Sequence, residues 1–143
     1  INNYLVELGG ELRAKGKKLN DSSWTVGIEQ PSESITDGSS LNTVIKIENK
    51  SLATSGNYKK YYIENGKKFA HIIDPFTGSP AKNTLLSATV IADDCMTADA
   101  YATAFMVMGL EQSKLFLSEN KDLGLEVIFI YDENGAWKTY TSK

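Results

Sequence analysis

Apolar and polar residues alternate with a period of two along much of the chain, the spacing of strands that bury one face. In "NYLVEL", Tyr4, Val6 and Leu8 share a face, and Gly9-Gly10 follow with a backbone free to bend sharply. "LRAKGKKL" then turns at Gly16. "WTVGIE" alternates again, with Trp24, Val26 and Ile28 on one face, and Pro31 stops it. "PSESITDGSSLN" is polar and turn-rich, which predicts a surface loop. In "TVIKIENKSLATSG", apolar Ile45 and Ile47 alternate with Lys46 and Glu48.

The sharpest local signal is "YKKYYIENGKKFAHIID", where Asn65-Gly66 between two β-rich runs predicts a two-residue hairpin. In that register Glu64 faces Lys67, Tyr62 faces Phe69, Lys60 faces His71 and Asn57 faces Asp74. The "ATSG" turn, residues 53–56, is then expected beside the "DPFTG" turn. "LLSATVIA" is a continuous apolar run, the pattern of a central strand buried on both faces. Asp93 or Asp94 can cap a helix from Met96 to Met108, which Gly109 ends. A short amphipathic helix over Glu111–Glu119 follows, and two strands joined at Asp132–Gly135 close the chain. Strands outnumber helices and hairpins are frequent, so the predicted class is α+β.

Composition narrows the function. With 143 residues the chain reads as one domain with a real core, and 41% hydrophobic and 23% charged residues are the proportions of a folded globular protein. The net charge is -3 and the 15 Lys and Arg are dispersed, with Arg13 to Lys18 their nearest approach to a cluster, which argues against nucleic acid. The single Cys95 excludes an internal disulfide and any multi-cysteine metal site, and beside Met96 at a helix start it reads as a packed thiol. No apolar run approaches the ~20 residues that span a bilayer.

Three constellations carry candidate chemistry. In "CMTADAYATAFMVMG", Asp99 and Thr103 stand four apart and share a helix face. A carboxylate and a hydroxyl so placed can bind a hard cation such as Mg²⁺; equally, Asp99 can be a first-turn acid favoured by the helix dipole. In "HIIDPFTG", His71 is the sole imidazole. Either it is a half-buried strand residue before a type I turn with Pro75 in second place, or it and the turn amides face a phosphate. "ELGGELRAKG" and "ATSGNY" set glycine beside hydroxyl or acidic residues, as in a turn that a ligand approaches closely or in any sharp β-turn. No Walker loop, GxGxxG or GxSxG motif is present, and Ser55 has no partner that would make it a nucleophile.

Taken in order, "YLVELGGELRAKG", "WTVGIEQP", "LATSGNYKKYY", "HIIDPFTGSP" and "CMTADAYATAFMVMG" resemble the ApbE family, the FAD:protein FMN transferases formerly described as thiamine-biosynthesis lipoproteins. The resemblance implies a T-fold-like α+β architecture, an antiparallel-rich sheet with a few packed helices. It implies FAD as substrate, Mg²⁺ as cofactor, and transfer of the FMN moiety to a Thr or Ser hydroxyl of a target flavoprotein with release of AMP. Some relatives instead hydrolyse FAD to FMN and AMP, and a short form that only holds flavin or a nucleotide is a further alternative. Carried onto this chain, Asp99 and Thr103 would be Mg²⁺ ligands and His71 would face the pyrophosphate. Gly9, Gly10 and Glu11, with Thr54, Ser55 and Gly56, would line the flavin cleft, and Asp74 is a weak candidate for general base. Phe76 stands where the family often has Arg, and Asn57 where it often has Asp.

The match is to the C-terminal half of family members, which run to about twice this length against a domain norm of ~150 residues. The expectation is therefore that an upstream portion supplies a further metal ligand, much of the adenine pocket, and an export signal or lipid tether to the bacterial cell envelope.

Overall fold

In the computed structural model, residues 1–30, 41–57, 61–64, 67–70 and 72–142 are described, with backbone alone for 61–64 and 67–70. The described elements of the first half are all strands: β1 (Tyr4–Leu8), β2 (Glu11–Lys15), β3 (Trp24–Glu29), β4 (Leu41–Ile47), β5 (Ser51–Gly56), β6 (Tyr61–Glu64) and β7 (Lys67–Ala70). Then come β8 (Leu85–Ala92), α1 (Cys95–Met108), α2 (Leu110–Glu119), β9 (Glu126–Glu133) and β10 (Ala136–Thr141). Among the described residues no helix is long and apolar enough to cross a membrane.

One antiparallel sheet of six strands, in the order β1-β2-β5-β8-β9-β10, organises the fold. β8 sits inside it between β5 and β9, as its unbroken apolar run predicts, and alternation sends its residues to two different layers. Ala88 and Val90, with Val127 and Phe129 of β9, pack against Ala102, Phe105 and Met106 of α1. On the opposite face Ile91, Leu52 and Ile128 meet Ile28 and Ile47 of the separate β3–β4 ribbon. Helices, sheet and ribbon thus form three layers, and β8 is covered on both faces, its Ser87 and Thr89 buried along with its apolar residues.

Differences from the sequence reading follow from pairing. "ELRAK" is a full strand, flanked by β1 and β5 on its two edges, and it ends at Gly16, φ 57°, where the turn was expected. β1 is an edge strand whose apolar residues stay outside the core, with Leu8 81% and Val6 53% exposed. The β6–β7 register agrees with expectation, Glu64 opposite Lys67 and Tyr62 opposite Phe69. The Asn65-Gly66 turn, the 31–40 loop and the Lys60–His71 pair lie outside the described residues.

Candidate functional site

Helix α1 is positioned at both ends. Asp94 is its N-cap: one carboxylate oxygen accepts from the Thr97 amide at 2.8 Å and the other from the Thr97 hydroxyl at 2.9 Å. Those bonds, the amide bond foremost, favour the charged form and hold the Asp94 carboxyl below its ordinary range. At the other end Gly109 takes φ 76°, a left-handed value that suits glycine, and its N–H bonds the Phe105 carbonyl. No acid lies in the first turn, so Asp99 is not the dipole-capping residue that one reading of the sequence allowed.

Small side chains let the helix approach the sheet: Ala98 of α1, Ala53 of β5 and Ala92 of β8 are 0%, 1% and 2% exposed. That close approach brings β5 within hydrogen-bonding reach of the exposed helix face. Ser55 Oγ and Thr103 Oγ1 are 3.0 Å apart.

The β1–β2 connection completes the wall. Leu8 pairs with Glu11, leaving Gly9-Gly10 as a two-residue turn with φ of 68° and 110° at the two positions. Two successive positive φ values suit a glycine pair. β2 pairs with β5 only through Leu12–Leu52 and Arg13–Ser51, so β5 runs past it to Gly56. The Ala14 amide donates to Lys50 O, and by alternation Thr54 and Gly56 aim their backbone groups toward the side that β2 has left. The Asn57 amide, odd in the same count, donates to Leu86 of β8.

A cleft of about 530 Å³ opens there, and the residues singled out by sequence converge on it. Gly9, Gly10, Glu11, Thr54, Ser55, Gly56, Asp99 and Thr103 all line it. "ATSG" does so as the end of a strand, not as the expected turn beside "DPFTG", because β8 pairs with it as far as Gly56–Ser87. Asp74 is not among the described lining residues. One of its carboxylate oxygens accepts from the Phe76 amide at 2.8 Å, and its carbonyl accepts from the Gly78 amide, so the turn is one residue wider than type I. His71 lies outside the described residues.

Sequence reasoning missed Glu7 and the β3 wall of Val26, Gly27, Ile28 and Glu29. The available signal was Gly27, a glycine inside an alternating strand, where a backbone is closely approached. A Cβ there would lie 2.6 Å from Leu41 Cδ2 across the ribbon.

The described lining carries four carboxylates, Glu7, Glu11, Glu29 and Asp99, and neither Lys nor Arg. Asp99, Thr103 and Ser55 offer hard oxygen donors, which fit Mg²⁺ and not a soft metal. Among the described residues no group of three or more His, Cys, Asp or Glu could enclose a metal ion. A cation here would draw further ligands from beyond these groups, water and phosphate oxygens among them.

Residues 1–129 match the ApbE family. The chain is 44% identical over 145 residues to the FAD:protein FMN transferase of Haemophilus influenzae, covering 97% of this chain and 41% of that protein. It is 39% identical over 142 residues to the enzyme of the same description from Vibrio cholerae, covering 99% of this chain and 41% of that one. The solved structure of the Vibrio cholerae flavin transferase ApbE superposes with a TM-score of 0.80 at 37% identity, over 99% of this chain and 43% of that one. The chain thus spans about two fifths of the length of the relatives it matches.

Proposed function

The chain belongs to the ApbE family, and from that premise we propose that it is part of a Mg²⁺-dependent FAD:protein FMN transferase. The observation that carries this reading is the convergence of Asp99, Thr103, Ser55, Glu11 and two glycine-bearing segments on one cleft. The six-stranded sheet with helices on one face is then this chain's share of a T-fold-like architecture.

In the proposed reaction, the hydroxyl oxygen of a Thr or Ser on a target flavoprotein attacks the FMN-side phosphorus of FAD. The bond from that phosphorus to the bridging oxygen breaks, AMP leaves with the bridging oxygen, and the hydroxyl proton passes to a base. When bound, Mg²⁺ neutralises charge on the pyrophosphate as it is cleaved. Asp99 and Thr103 would hold it. Ser55 and the strand-edge amides of Thr54 and Gly56 would border the flavin nucleotide, and the Gly9-Gly10 turn would let it approach without a side chain in the way. His71 would meet the pyrophosphate. Asp74 stays the candidate base: the Phe76 amide takes one acceptor site of one carboxylate oxygen and leaves the others for a proton. An extracytoplasmic location, with a tether outside this chain, belongs to the same proposal.

The test is AMP release from FAD by the purified protein, with Mg²⁺ and with EDTA, in the presence and absence of an acceptor flavoprotein. Metal-dependent AMP that requires the acceptor, together with covalent flavin on it, is the expected result. Metal-dependent AMP without an acceptor assigns FAD hydrolysis instead. No AMP under any condition, from this chain or from the longer protein of which it is proposed to be part, overturns the catalytic reading and leaves a flavin-binding module.

A further inference from the structure

A threonine hydroxyl has one proton and two lone pairs. If Thr103 Oγ1 gives a lone pair to a cation, its proton must point elsewhere. In an isolated helix such a proton commonly returns to a carbonyl three or four residues back, an arrangement that fixes the oxygen by the helix alone. Here a second element intervenes: Ser55 Oγ, delivered by β5, stands 3.0 Å from Thr103 Oγ1. Ser55 is half-buried against the helix, while Asp99 and Thr103 are exposed to the cleft.

We infer that Ser55 is a positioning residue for the cation: its oxygen accepts the Thr103 hydroxyl proton and so turns the Thr103 lone pairs toward the ion shared with Asp99. Ser55 then keeps its own proton for an acceptor in the cleft, such as a phosphate oxygen. The geometry explains a small residue at position 55, since the oxygen must sit between strand and helix where Ala53 and Ala98 already bring the two backbones close. Partners of this kind that orient a metal ligand commonly change metal affinity 10- to 100-fold, roughly, when removed. The inference rests on the metal reading of Asp99 and Thr103 given above.

Mn²⁺ binding to the purified protein, followed by the electron paramagnetic resonance signal of the free ion, tests it without any turnover. Ser55→Ala is expected to weaken Mn²⁺ affinity about tenfold or more with little change in melting temperature. Ser55→Cys, similar in size but a weak acceptor, is expected to lose affinity likewise. Because Ser55 acts through Thr103, the Ser55→Ala/Thr103→Ala double variant should bind no more weakly than Thr103→Ala alone. Unchanged affinity in either Ser55 variant, or losses that multiply in the double variant, would overturn the inference. Asp99→Asn separates the two levels. If it loses Mn²⁺ while Ser55→Ala does not, Ser55 alone is wrong; if neither loses Mn²⁺, the metal reading itself falls.

Discussion

Replacing Ala98 by Val tests whether the close packing of α1 on β5 builds the site. Ala98 is fully buried in one cluster with Ala53 and Ala92. Ala100, two residues on, is exposed on the same helix and serves as the reference. Ala100→Val should cost about 0.6 kcal/mol, the difference in helix propensity. Ala98→Val carries that cost plus overpacking of about 1–3 kcal/mol, or roughly 2–4 kcal/mol in total. For a chain of this length each kcal/mol lowers the melting midpoint by about 2–4 °C, so Ala98→Val should lose roughly 4–16 °C and Ala100→Val only about 2 °C. The helix can relieve the overlap by moving away from β5. That stretches the 3.0 Å Ser55–Thr103 contact beyond bonding distance, so Mn²⁺ affinity should fall in the same variant. Calorimetry and the Mn²⁺ titration read both effects. If the two variants melt together, the alanine contact is not tight. If Ala98→Val melts low yet binds Mn²⁺ normally, helix placement does not set the site.

Other outcomes follow from the same geometry. The Asp94 carboxyl is held low by its bonds to Thr97, so its charged cap stabilises the fold above the ordinary carboxylate pKa of about 3.9, and that contribution is lost as pH falls through the lower folded value. Asp94→Asn keeps the capping geometry without the charge, so its melting midpoint should lie below wild type at pH 7 and converge with it in acid; a constant gap would place the effect elsewhere. Arg13 sends Nη1 to the carbonyls of Asp93 and Asn49 and to Ser51 Oγ, tying β2 to the loop before α1. Arg13→Met should cost about 1–3 kcal/mol in urea unfolding, and no loss would show these bonds to be replaced by water. Since the described lining is acidic, FAD affinity read by flavin fluorescence should drop at least about tenfold in EDTA. Equal affinity with and without metal would show that the carboxylates do not repel the pyrophosphate.

Much of this was legible in the sequence where local physics decides. The α1 boundaries follow from a capping acid and a terminal glycine, and the structure selects Asp94 over Asp93 as the cap and ends the helix at Met108 before Gly109. β8 announced itself as an unbroken apolar run because both its faces are covered. The 61–70 register followed from a two-residue turn, because the turn length alone fixes which residues oppose. Asp99 and Thr103 sharing a face is a property of any helix.

What pairing and packing decided could not be read this way. "ATSG" has the composition of a turn, yet it is strand because β8 supplies its hydrogen bonds. β1 has the alternation of a half-buried strand, yet its apolar side chains are exposed because the core clusters of the described residues do not reach it. Gly27 and the β3 wall join the cleft through the ribbon, which no local spacing reveals. The approach of Ser55 to Thr103, 48 residues apart, depends on a helix settling on the sheet where buried alanines meet. By itself the sequence determined the elements and the donor types, since those depend on neighbours in the chain. Tertiary structure alone decided which donors face one another, because that depends on the volume of the side chains between layers.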